Sequence, residues 1–209
     1  MLQLAVIVTG FALQVFAWRL VASGRFSVWT LMVPVFAALG GTAILVRPQI
    51  ASDRISVGLA TTIALALGVA LYLGTIAFVQ VASRWEVFRA HVADRYALAG
   101  NVPVWAALTM SLLLAVPGEE LFWRGLAQPR LQASMPVLSG PALAWLAYVG
   151  TNVASQSLAF VAAAAIGGAV WAALAVWTKG VLASLICHVV WNGLMLVRPP
   201  AAARGMMRG

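Results

Sequence analysis

The chain has 209 residues, of which 63% are hydrophobic and 9% are charged, and its mean hydropathy is +0.98. This composition leaves too little polar surface to coat a water-soluble globule, so it predicts an integral membrane protein. The net charge of +8 does not indicate a nucleic-acid partner, because most of the basic residues stand singly between apolar runs, as they do beside membrane spans.

Long apolar runs follow one another along the whole chain. A span needs about 20 mostly apolar residues whose backbone amides pair within the segment, so these runs predict helices. The sequence therefore predicts an all-α fold, a polytopic transmembrane helix bundle of about seven spans, with six to eight as the range. The runs lie at residues 2–22, 28–46, 57–81, 102–127, 138–157, 158–178 and 180–197.

The two runs that meet near residue 158 have no charged break between them. They could form two helices or one long bent helix, or one of them could be re-entrant. We expect residues 1–209 to form a single membrane domain, with an amphipathic segment at residues 84–95 lying in the membrane interface and a disordered tail at residues 199–209.

The first charge of the chain, Arg19, comes after the first apolar run. A cleaved signal peptide has the reverse order, so this run predicts a retained first span with the N-terminus outside. That orientation puts residues 84–95 and the tail on the cytoplasmic side, together with Arg25. It places on the outer side Arg47, Arg54, Arg130 and Lys179.

Two of the five acidic residues, Glu119 and Glu120, stand with Arg124 inside an apolar run. Charges within a membrane helix are costly and usually mark a functional site with a nearby partner. Glu120 and Arg124 are four residues apart and share a helix face, where an ion pair would keep Glu120 ionised. Glu119 is rotated by about 100° from Glu120 and is free for a different role, that of a general base. At a rise of about 1.5 Å per residue, Glu119 lies roughly 25 Å along the fourth span, toward the outer face.

Polar residues recur every four positions on two later helices. Tyr148, Asn152 and Gln156 form one stripe, and the other consists of Ser184, His188 and Asn192. Such stripes face a bundle interior or a wet cavity, so we expect these helices to converge on the Glu119 helix. Tyr148 and Asn152 fit a cavity lining and interhelical hydrogen bonding equally well.

The residues Glu119-Glu120-Leu-Phe-Trp-Arg124 and His188-Val-Val-Trp-Asn192 resemble the Glu-Glu-x-x-x-Arg and His-x-x-x-Asn motifs of a known family. This is the family of type II CAAX prenyl endopeptidases and bacteriocin-processing proteins (CPBP, or Abi), which are intramembrane proteases. The resemblance covers residues 102–197. It implies that Glu119 activates a water and that Glu120 and Arg124 brace Glu119. It also implies that His188 and Asn192 hold the oxyanion.

Two tryptophans, Trp123 and Trp191, flank these motifs, and we expect them to bind substrate together with Tyr148. The middle motif of the family is Phe-x-x-x-His, where this chain has Tyr148-Val-Gly-Thr-Asn152. Asparagine can position a water but cannot take up a proton and is a poor zinc ligand. No cofactor is therefore expected, although a zinc site of Glu119, Glu120 and His188 stays open.

The sequence thus predicts an intramembrane endopeptidase that hydrolyses a peptide bond near the C-terminus of a membrane-anchored protein or peptide. The family includes enzymes for CAAX-like tails and proteases proposed to trim C-terminal sorting tails. The outward position of Glu119 favours the sorting kind, in a bacterial inner (cytoplasmic) membrane.

Two other classes stay open. One is a weakened or inactive relative that acts as a membrane scaffold or partner-binding subunit. The other is a small transporter, which would need an inverted internal repeat that the sequence does not show.

Overall fold

The computed structural model describes residues 1–47, 55–91, 102–136 and 138–200. Within these ranges the chain forms seven long helices and no strand. They are α1 (Leu2–Ala22), α2 (Val28–Val46), α3 (Val57–Ala82), α4 (Val104–Gln132), α5 (Ser139–Val153), α6 (Leu158–Thr178) and α7 (Leu182–Val197). Residues 86–91 are also helical. The all-α bundle is therefore confirmed.

Five of these helices, α1, α2, α3, α4 and α6, are long and apolar enough to cross a membrane, and α7 is a shorter apolar helix. The protein is thus an integral membrane protein. The junction near residue 158 proves to be a break between two helices, because α5 ends at Val153 and α6 begins at Leu158. Most of the predicted tail, residues 201–209, lies outside the described residues, as do Arg54 and residues 92–95 of the interfacial segment.

The helix that carries Glu119 is longer than predicted and irregular. It continues to Gln132 rather than ending at residue 127, so Glu119 lies near its midpoint. This removes the expectation that Glu119 lies toward the outer end. Two stretches of π-helix, Ser111–Ala115 and Leu121–Ala127, interrupt the α-helical hydrogen bonding on either side of Val116–Glu120.

Each π-helical stretch is followed closely by a proline, Pro117 or Pro129. A proline lacks an N–H and its ring clashes with the carbonyl four residues earlier, and a wider turn relieves that clash. Four residues before Pro129, the carbonyl of Gly125 accepts a hydrogen bond from Arg47 Nη1 at 2.8 Å. Arg47 therefore replaces a donor that Pro129 cannot supply.

The backbones of α2 and α4 meet at two glycines. A Cβ at Gly118 would overlap the carbonyl oxygen of Phe36, and a Cβ at Gly40 would lie 2.5 Å from the Cα of Gly118. Only hydrogen atoms fit between these backbones. Gly118 directly precedes Glu119, so this contact fixes the depth and rotation of the acidic residues against α2.

The remaining helices close around α4. Helix α5 packs against α6 and α1, and α7 packs against α3, α6 and α4. Helix α3 packs mainly against α7. Residues from every one of the seven helices surround a cavity.

Candidate active site

The cavity has a volume of about 1150 Å³ and mostly apolar walls. Its polar lining includes residues predicted for the site, and they come from three different helices. These are Glu119 on α4, Tyr148 and Asn152 on α5, and His188 and Asn192 on α7. The helices predicted to converge therefore do so.

Behind the cavity wall, Glu120 and Arg124 bond to His188, which is itself part of the wall, and we call these three buried residues the ion cluster. One oxygen of Glu120, Oε1, accepts hydrogen bonds from Arg124 Nη1 at 3.1 Å and from His188 Nδ1 at 2.9 Å. The second Arg124 nitrogen, Nη2, donates to the carbonyl of Gly168 on α6 at 3.1 Å. Glu120 is 0% exposed, and Arg124 and His188 are each 3% exposed. A carboxylate and a guanidinium this deeply buried are stable only because they pair with each other.

Glu119 has different surroundings from its neighbour. It is 8% exposed and lines the cavity, whereas Glu120 and Arg124 do not line it. Tyr148 and His188 line the same cavity, so Glu119 shares this space with a phenol and an imidazole. Adjacent residues on a helix diverge by about 100°, so one carboxylate faces the cavity while the other faces the packed interior.

Asn152 stands at the cavity wall where the family motif has a histidine. Its Nδ2 donates to the carbonyl of Tyr148, one turn earlier, at 3.0 Å. A carbonyl accepts only from a donor, so this contact fixes which end of the amide is the nitrogen. The side-chain oxygen of Asn152, which can only accept, and the second N–H of its Nδ2 are then left for a ligand.

Gln156 does not extend this stripe, so that prediction is wrong. Helix α5 ends at Val153, and Gln156 is exposed with a φ of 56° in the turn that follows. The hydroxyl of Ser155 donates to the carbonyl of Asn152 at 2.6 Å and accepts from the backbone N–H of Ser157 at 3.2 Å. These local bonds end the helix directly after Val153.

Asn192 connects α7 to the first π-helical stretch of α4. Its Nδ2 donates to the hydroxyl of Ser111 at 3.0 Å, and both residues line the cavity. One N–H of the amide group remains for another acceptor. Ser111 was not predicted from the sequence, since a lone serine in an apolar run carries no pattern.

The two motif tryptophans lie in different places. Trp191 lines the cavity, and its Nε1 donates to Thr75 on α3 at 3.0 Å. Trp123 does not line the cavity, contrary to its predicted role in substrate binding. Its ring is 2% exposed and its Nε1 donates to the buried Gln14 on α1 at 3.1 Å.

A third tryptophan, Trp171 on α6, touches the site although neither motif contains it. Its indole ring stacks on the His188 imidazole, with ring centroids 3.6 Å apart and an interplanar angle of 13°. The Arg124 guanidinium lies over the rings of Tyr148 and Trp171, at 4.5 and 5.4 Å from the centroids. No sequence pattern marked Trp171 as part of the site.

Among the residues that the structure describes, no group of three or more His, Cys, Asp or Glu side chains is placed to hold a metal ion. The expectation that the protein uses no cofactor stays a prediction.

The cavity occupies one end of the bundle. It is lined by the last residues of α1, α3, α5 and α7 and by the first residues of α2, α4 and α6, and these ends lie on the same side of an alternating bundle. The described charged residues at this end are Arg19, Arg25, Arg84, Glu86, Arg89 and Arg198, and those at the opposite end are Arg47, Arg130 and Lys179. The cavity end thus carries more arginine than the opposite end, which is the pattern that the positive-inside rule associates with a cytoplasmic side.

Residues 101–194 match the model of a protein family described as type II CAAX prenyl endopeptidase Rce1-like. The matched segment contains both motifs and Asn152. No match was found among curated proteins or among solved structures. The resemblance predicted from the two motifs is thereby confirmed: over residues 101–194 the chain is similar to the Rce1-like type II CAAX prenyl endopeptidases, a family of proteases.

Proposed function

We propose that this protein is an endopeptidase in which Glu119 activates a water to hydrolyse a peptide bond near the C-terminus of a membrane-anchored protein. The observation that carries the proposal is the position of Glu119. It is the one carboxylate of the pair that lines the cavity, and amide and imidazole groups line the same space.

In the proposed reaction, the water lies between the Glu119 carboxylate and the side-chain oxygen of Asn152, both of which can accept its hydrogens. Glu119 takes one proton as the water oxygen attacks the peptide carbonyl. It returns that proton to the leaving nitrogen when the C–N bond breaks, which yields a new carboxylate and a new amine. Proton transfer by a positioned base of this kind contributes about 10²- to 10⁴-fold to the rate.

The oxyanion formed on the peptide carbonyl would be held by Asn192 and by Nε2 of His188. Nδ1 of His188 is bonded to Glu120, so Nε2 is the ring nitrogen left for substrate. A protonated imidazole donates from both nitrogens, so His188 can keep its bond to Glu120 and donate to the oxyanion as well. Donors that are already in place before charge develops are often the largest catalytic contribution.

The volume and the apolar lining of the cavity support the proposal that the substrate is apolar and embedded in the membrane. Its volume of about 1150 Å³ exceeds that of ordinary small-molecule sites, which reach about 1,000 Å³. The apolar walls extend from Glu119 past Met32 and Phe36 on α2 and past Leu71 and Phe78 on α3. A peptide end carrying an apolar chain or segment would fill this space.

The test uses the full chain purified in detergent micelles. The probe is a quenched fluorescent peptide that ends in a farnesylated cysteine followed by two aliphatic residues and a terminal residue. A second probe has an apolar helix in place of the farnesyl group. We expect cleavage of at least one probe, located by mass spectrometry, and a loss of about 10²- to 10⁴-fold in kcat for Glu119→Gln. Equal cleavage by this variant would overturn the proposal.

We further propose that the active site faces the cytoplasm, which favours CAAX-like tails over outward-facing sorting tails. Ser23 is exposed at the cavity end and Ser134 at the opposite end, so they form a matched pair for labelling, and the native Cys187 is buried. In intact cells, an impermeant maleimide should label Ser134→Cys and spare Ser23→Cys. Labelling of Ser23→Cys instead of Ser134→Cys would show that the active site faces outward.

The second candidate is a membrane scaffold, and the observation in its favour is Asn152 in place of the family histidine. A scaffold would bind the farnesylated probe and release it intact in both the parent protein and Glu119→Gln. The same assay therefore decides between the two.

A further inference from the structure

We propose that Trp171 is a positioning residue for His188. The proposal rests on the function proposed above, because it concerns how His188 is aimed at the substrate. Neither motif contains Trp171, and α6 contributes no residue to either of them. The indole nevertheless covers the imidazole almost face to face, at 3.6 Å and 13°.

The imidazole of His188 makes a hydrogen bond to Glu120 at its edge and a stacking contact with Trp171 on its face. The hydrogen bond from Nδ1 to Glu120 fixes one point of the ring, about which the plane could still tilt. The indole face removes that freedom, because two stacked rings must stay parallel. With both contacts in place, Nε2 points to a single position at the cavity wall.

The indole itself is held in place by its own helix and by Arg124. Gly167 lies one turn before Trp171, and a Cβ there would come within 2.9 Å of the indole Cη2. The ring therefore lies over the bare backbone of α6. The Arg124 guanidinium approaches the same ring at 5.4 Å and donates to the carbonyl of Gly168. Helix α6 thus holds two members of the ion cluster, Arg124 by a hydrogen bond and His188 by stacking.

Kinetics of the full chain on the farnesylated peptide test this role. We expect Trp171→Leu to lower kcat by about 10- to 100-fold, the scale of a small misplacement of a reacting group, with KM nearly unchanged. Trp171→Phe keeps a flat ring and should recover most of the loss. Trp145→Leu is the matched control, because Trp145 also bonds to α6, through the carbonyl of Ala165, but lies away from His188.

A double-mutant cycle separates positioning from general packing. In a His188→Ala background, Trp171→Leu should cause no further loss of kcat. A similar loss in both backgrounds, or a rise in KM with kcat unchanged, would show that Trp171 only packs or binds substrate, and would overturn the proposal. Gly167→Ala, which displaces the indole without removing it, should lower kcat in the same way.

A spectroscopic measurement tests the positioning role of Trp171 without depending on peptide cleavage. In a His91→Gln background, His188 is the single histidine of the chain, and its ¹⁵N ring signals report where the ring protons lie. We expect one sharp set with Nδ1 protonated, and a broadened or doubled set in Trp171→Leu. Identical spectra would overturn the positioning role. Absence of any peptide cleavage would refute the proposed function and leave this readout valid.

Discussion

The ion cluster and the cavity lie side by side along α4 and satisfy opposite requirements. In the ion cluster, Glu120, Arg124 and His188 are buried and bonded to one another. At the cavity, Glu119 and Asn152 present acceptors to open space. A buried charge is stable only when it is paired, whereas a group that reacts with substrate, as we propose for Glu119, must stay available to it. Two consecutive glutamates meet both requirements because one helical step turns them to different surroundings.

The largest expected loss of folding stability comes from Glu120→Gln, in the ion cluster. This change removes the charge that compensates Arg124, and breaking a buried pair costs about 3 to 5 kcal/mol of folding stability. Glu119→Gln, at the cavity, should leave stability within about 1 kcal/mol, as expected for a group outside a paired network. Thermal unfolding of both variants in one detergent measures the difference. Equal destabilisation would show that the two carboxylates do not divide their roles.

A smaller effect is expected from Gly118→Ala, which disturbs both regions at once. The new Cβ would overlap the Phe36 carbonyl and push α4 from α2, at a cost of about 1 to 3 kcal/mol. Gly41→Ala is the matched control, since a Cβ at Gly41 meets nothing within 4 Å. It should be neutral or stabilising by up to about 1 kcal/mol, because alanine favours helix.

If Gly118→Ala proved as stable as Gly41→Ala, the backbone contact between α2 and α4 would not be what holds the acidic residues in place. Measuring kcat alongside unfolding sharpens this result. A displaced α4 should lower activity and stability together, unlike Glu119→Gln, which should lower activity alone.

The smallest expected effect is confined to the cavity. Gly74 on α3 lines it, and a Cβ there meets nothing within 4 Å. Gly74→Leu should fill part of the space and raise KM for the farnesylated peptide by about 10-fold, the scale of a few methylene groups, with no loss of stability. Gly58→Leu, at the opposite end of α3, is the control. An unchanged KM would mean that the apolar chain lies elsewhere.

The family resemblance, the membrane location and the approximate bounds of the helices could be predicted because each depends on local pattern. A run of about 20 apolar residues must be a helix in lipid wherever it lies in the fold. The four-residue spacing of Glu120 and Arg124 likewise predicts an ion pair on one helix face, and the structure contains it. Spacing along one helix is a property of the sequence alone.

The length of α4 was misjudged because Pro129 and the charge of Arg130 resemble the end of a span. The π-helical stretch before Pro129 and the hydrogen bond from Arg47 to Gly125 let the helix continue. Arg47 is distant in sequence from α4, so this hydrogen bond could not be predicted from the sequence of α4 alone. The same limit applies to Gln156, where a turn bonded through Ser155 replaced the last turn of a predicted helix.

The sequence by itself determined which apolar helices carry charged and polar side chains and at what spacing, since charge and hydrogen-bonding capacity belong to the side chains. Only the tertiary structure decided which carboxylate faces the cavity, that Trp123 packs away from it and that Trp171 covers His188. Those outcomes depend on which helices become neighbours and how each is rotated. That choice is made by close contacts between distant segments, such as Gly118 against Phe36, and a pattern within one segment does not contain it.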